Sequence, residues 1–148
     1  VNSPPVGPTT GSSRLVNLSI LTNAGSGANV LTMGAFIGGT GSRGSMSLVI
    51  RAVGPTLGTA FGISGVMADP GLLLFDNDTG LQMAANDDWG GGAALSNAMS
   101  SVGAFALANP ASRDAVLVMT LAPGAYSARV AGKNSTGGTA IVEVYEIP

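Results

Sequence analysis

The chain contains no histidine and no cysteine. The first absence removes the commonest general base and the commonest metal ligand, and with them any Ser-His-Asp relay. The second removes the thiol nucleophile, thiolate metal ligands and every disulfide. A Ser-Lys nucleophile would have to use Lys133, the single lysine, in the hydrophilic turn GKNSTGG, where its amine keeps a high pKa. Charge is scarce as well: 9% of residues are charged, against about 25% in an ordinary domain. Six basic residues, scattered and opposed by eight acidic ones for a net charge of −2, give no phosphate-neutralising stripe, so nucleic acid is excluded as a partner. No apolar run reaches the length of a membrane-spanning helix. Aromatic residues make up 5% of the chain, which leaves the core to Leu, Val, Ile and Met. With a mean hydropathy of +0.41, so uncharged a surface favours association, and a neighbouring subunit or glycan is expected to cover part of it.

What is present is β-sheet patterning. The 148 residues suit one domain with a sizeable core. Residues 1–13 (VNSPPVGPTTGSS) hold three Pro, two Gly and several hydroxyls and read as an extended arm. Strands are predicted at Arg14–Leu21, Val30–Ile37, Ser45–Val53, Gly71–Asp76, Leu81–Ala85, Ala115–Leu121, Ala125–Ala131 and Thr139–Ile147, from apolar residues at period two between turn signals. Pro55 to Gly65 reads as a long connection. Leu95, Ala98, Met99 and Val102 recur at helical spacing before Gly103, so one short helix is predicted there. The fold class is therefore all-β: a jelly-roll-like sandwich of about eight strands with one short helix and an N-terminal arm or strand. Residues 1–27 are assigned to the arm and a candidate donor strand, and 28–148 to the sandwich.

Several motifs carry a sharp reading beside a bland one. Gly39-Thr40-Gly41-Ser42-Arg43-Gly44 matches G-x-G-x-x-G, but the β-branched MSLVIRAV that follows supplies no helix N-terminus for a phosphate, so it reads as a hairpin turn. Asp76, Asp78, Asp87 and Asp88, with Asn86, form the one acidic concentration. Such oxygens can hold calcium, although the spacing is that of no EF-hand and Asp and Asn also build turns. No acid pair is nominated for glycosidase chemistry. Trp89 reads as a core anchor, with sugar stacking as the alternative. Sequons occur at Asn17, Asn77 and Asn134. Asn77 and Asn134 lie in predicted turns and are the N-glycan candidates, while Thr9 and Thr10 are O-glycan candidates in the arm.

The ordered blocks RLVNLSI, SLVIRAVGPTL, DPGLLLFD, NDDW, VGAFAL, RDAVLVMTLAPGAYSARVAG and TAIVEVYEI resemble a β-domain that recurs in large exported proteins of environmental bacteria. The stretch from Asp69 to Val130 is also similar to the pre-peptidase C-terminal domain, a jelly-roll-like accessory module of which some members bind calcium. The resemblance implies export, a sandwich fold and no catalysis, and it supplies no ligand residues.

Two functions follow as expectations. The first is a structural, non-enzymatic subunit of an extracellular or cell-surface fibre. Other copies of the chain are its partners, joined head-to-tail by N-terminal strand complementation. The donor is expected at Arg14, Leu15, Val16, Asn17, Leu18, Ser19, Ile20 and Leu21, because Val16, Leu18 and Ile20 give one apolar face and the Gly/Asn/Ser-rich 22–29 follows. Val1–Val6 is the alternative donor. The second function is a secreted carbohydrate- or surface-binding module, calcium-assisted through the Asp76–Trp89 region. The start at Val1, without a charged or apolar leader, reads as a mature chain from which a signal peptide has been removed.

Overall fold

The computed structural model describes residues 16–38 and 44–148. Arg14, Leu15, Thr9, Thr10, Val1–Val6 and the Gly39–Arg43 part of the glycine motif lie outside the described residues. Eight strands form two four-stranded antiparallel sheets: β1 Asn17–Ala24, β2 Leu31–Ile37, β3 Met46–Val53, β4 Pro70–Asp76, β5 Gln82–Asn86, β6 Ala115–Leu121, β7 Gly124–Gly132 and β8 Gly138–Glu146. The first sheet runs β1-β8-β3-β6 and the second β2-β7-β4-β5. Strand 1 thus pairs with 8, 2 with 7, 3 with 6 and 4 with 5. The chain behaves as one long antiparallel ribbon rolled on itself, which is the jelly-roll arrangement. Each pairing puts inward-facing side chains of one strand beside those of another, so the alternation in the sequence becomes a shared core.

That core lies between the sheets and includes Leu48, Ile50, Leu72, Leu74, Val130 and Val142. A second apolar cluster covers the other face of the first sheet. Val49, Val53, Val116 and Tyr145 there meet Leu57, Trp89, Met99 and Leu107. Two covered faces explain why no residue of β3 is exposed and why apolar side chains stand on both of its faces.

The second cluster is built on helices, and here the expectation of one helix is corrected to two. The predicted helix is present as α2, Ala93–Ser101. The other, α1, is Pro55–Phe61, inside the segment read as a connection. Pro55 sits in its first turn, where a missing N–H costs nothing. Gly62 ends it at φ 69°, with its N–H on the Gly58 carbonyl. The start is held from far away: the Asp114 carboxylate accepts the N–H groups of Gly54 (2.9 Å) and Thr56 (3.3 Å) and the Thr56 hydroxyl at 2.5 Å. A sixty-residue separation puts that cap beyond local pattern reading.

Candidate functional site

The sandwich has two long sides, and they differ. On one, β5 and β6 belong to different sheets but are stitched together, because the Asn86 side-chain oxygen accepts the Val116 N–H at 2.9 Å. On the other, β1 and β2 are the edge strands of their sheets, each hydrogen-bonded to a single neighbouring strand among the described residues. Between them lies an apolar groove of about 250 Å³, with Val16, Leu18, Met33, Phe36, Met46 and Val144 among its walls. Phe36 is 71% exposed and Val16 55%. An edge strand displays unpaired backbone N–H and C=O groups, and this pair also displays apolar side chains.

β1 itself is held along its inner edge. All eight residues pair with β8, from Asn17 opposite Tyr145 to Ala24 opposite Gly138. Leu18 and Ile20 pack against the core. Ser19, on the other face, donates a hydrogen bond of 2.8 Å to Glu143, a residue only 4% exposed. Glu143 also accepts the Tyr145 hydroxyl at 2.8 Å and pairs with Arg51 Nε at 2.5 Å. Arg51 is fully buried, donates to the Phe105 carbonyl at 2.7 Å and stacks on the Phe105 ring at 3.9 Å. Burial, followed by the hydrogen bond and negative charge of Glu143, raises the Tyr145 pKa above its ordinary value. A polar row therefore runs from exposed Ser19 on β1 through buried Glu143 on β8 to buried Arg51 on β3. The register of β1 is fixed by polar matching as well as by its apolar face.

The other predicted residues have ordinary structural duties. Asp76 folds its own turn, accepting the N–H groups of Asp78 (2.8 Å) and Thr79 (3.1 Å). Asp87 pairs with Lys133 at 2.5 Å; the pair lowers the Asp87 pKa and raises that of Lys133, so the lysine remains a cation. Among the described residues no three acidic side chains converge as a metal site. The calcium candidates Asp76, Asp78, Asp87 and Asp88 are thus not brought together. Trp89 is buried and its indole N–H donates to the Asn109 carbonyl at 3.0 Å, which leaves no ring face for a sugar. Asn77 and Asn134 are exposed; Asn77 Oδ1 accepts from Ser127 at 2.5 Å, and Asn134 has a left-handed φ of 52°. The glycine motif feeds β3, a strand rather than a helix.

A second concavity, of about 540 Å³, lies at one end of the sandwich. Thr22, Asn23, Ser26, Asn29, Ser135 and Thr136 line it, and none of them is charged. No described helix is long and apolar enough to cross a membrane. The groove residues on β2 and β3 were missed in the sequence reading because an inward Met33 or Met46 looks like any other core residue. No protein-family model, curated protein sequence or solved structure matches the chain.

Proposed function

We propose that this domain is the structural subunit of an extracellular fibre, polymerised head-to-tail through its N-terminal segment. The donor that passes to the neighbouring copy is Arg14–Leu21 or Val1–Val6, and the second of these leaves β1 paired with β8 as a wall of the groove. The observation that carries this reading is the side of the sandwich where, among the described residues, two edge strands with no further strand beside them flank an exposed apolar groove, at the point where the N-terminal segment joins the fold. Adding a strand there satisfies unpaired backbone groups and removes apolar surface from water at the same time. A donor segment of one copy seated in the groove of the next makes a heterologous contact, which grows into an open filament unless its rotation closes. Low charge favours such association. The resemblance to a recurring domain of exported proteins supports the extracellular setting.

Electron microscopy and light scattering on the purified full chain test this. The expected result is long fibres made of this protein alone. A monodisperse monomer at every concentration up to the millimolar range would overturn it.

A second reading, a carbohydrate-binding module, draws support from the uncharged cleft of hydroxyl and amide side chains between Thr22 and Thr136. It predicts binding of a neutral oligosaccharide, weakened by Asn29→Ala. Unchanged binding in that variant, or none in the parent, would remove it.

A further inference from the structure

We infer that the groove between β1 and β2 is the acceptor for residues 1–13 of a second copy, with Val1–Val6 as the inserted part. This inference rests on the fibre reading and specifies its junction.

Three observations point to that occupant. Val16 is both a wall of the groove and the first described residue, so the fifteen residues before it are joined to the fold at this spot. Fully extended, fifteen residues span about 50 Å, enough to cross from one sandwich of this size to another. Second, the chemistry matches. Residues 1–13 carry no ionisable side chain, so none would have to leave water uncompensated inside an apolar groove. Within Val1–Val6 the apolar groups are Val1, Pro4, Pro5 and Val6, compact side chains suited to a shallow apolar groove. The two prolines lack ladder donors, which a strand added at an edge tolerates and a central strand does not. Third, β1 is already engaged. Its ladder to β8 is complete and Ser19 is held by buried Glu143, so the segment left to reach a neighbour is the one preceding it.

The native absence of cysteine makes cross-linking specific. Full-length Val6→Cys copies are mixed in denaturant with full-length Ala35→Cys copies, refolded together and treated with a short bis-maleimide. Ala35 is exposed and lines the groove, so a cysteine fits there without disturbing the core. The inference expects a linked pair in the mixture on the order of tenfold or more above either variant alone, because docking converts a dilute encounter into a local one. Equal yields in the mixture and the single variants would overturn it. So would Ala35→Cys copies linking to one another, which would mark a groove-to-groove dimer. A chain carrying both cysteines that links only within itself would show that the arm covers its own groove, and would also overturn it. Microscopy of the linked sample separates the two levels: closed pairs without fibres would remove the fibre reading while leaving the arm-in-groove contact standing.

Discussion

Glu143 collects hydrogen bonds from Ser19, Tyr145 and Arg51 in a site almost closed to water. Two opposite charges buried together are tolerable only while each keeps the other, and breaking such a pair from one side costs about 3–5 kcal/mol. Glu143→Gln should lower unfolding stability by an amount of that order, read from the urea midpoint at unchanged slope. Replacing both ends by Arg51→Met with Glu143→Leu should cost less than Glu143→Gln alone; a larger loss would mean that the pair is net stabilising. Tyr145 adds a pH signature. Its folded pKa is raised above the ordinary 10.0, so its contribution is fully present below pH 10 and is lost as pH climbs through the folded value. Stability measured from pH 9 to 12 should therefore fall less steeply in Tyr145→Phe than in the parent. Equal slopes would assign the alkaline loss to other groups.

At the scale of elements, α1 shows how a short helix is held by distant residues. Seven residues with two glycine neighbours make a poor helix in isolation. Asp114, buried between Ser112 and Thr56, supplies the missing acceptors, and Leu57 anchors the helix in the second cluster. Gly54 is needed for closeness: a Cβ there would lie 2.1 Å from the Met67 carbonyl oxygen. Hydrogen bonds to a charged acceptor are worth about 1.5–3 kcal/mol, and Asp114→Ala strands several buried donors at once. It should destabilise by about 3 kcal/mol and speed amide exchange in α1 while β8 stays protected; uniform exchange across both would refute a local role. All eight strands lie within a few residues of their predicted positions, because turn residues and period-two alternation are local signals. The helix α1 was not legible, since its cap is Asp114 and its partners are β3 and β6. The candidate site was only half legible. The apolar face of β1 showed in the sequence, but the edge position of β2 and the exposure of Phe36 did not.

For the whole molecule, the balance of forces at a junction sets how assembly responds to conditions. The proposed contact is mostly apolar, with Glu146 the one ionisable side chain among the groove walls and none in residues 1–13. Fibre formation should then change little between 50 and 500 mM sodium chloride, strengthen in sulfate and weaken on cooling, as hydrophobic burial does. A steep loss with added salt would place the driving force in ion pairs instead. The sequence by itself determined the fold class, the strand positions, the lack of His and Cys chemistry and the scarcity of basic residues, because each depends on local pattern or on composition. Tertiary structure alone decided which strands became edges and which side of the sandwich stayed open. It also kept the four aspartates from converging and gave Asp114 a helix to hold. Those outcomes depend on pairing between residues far apart in the chain, and strand order is a property of the rolled ribbon that no single segment carries.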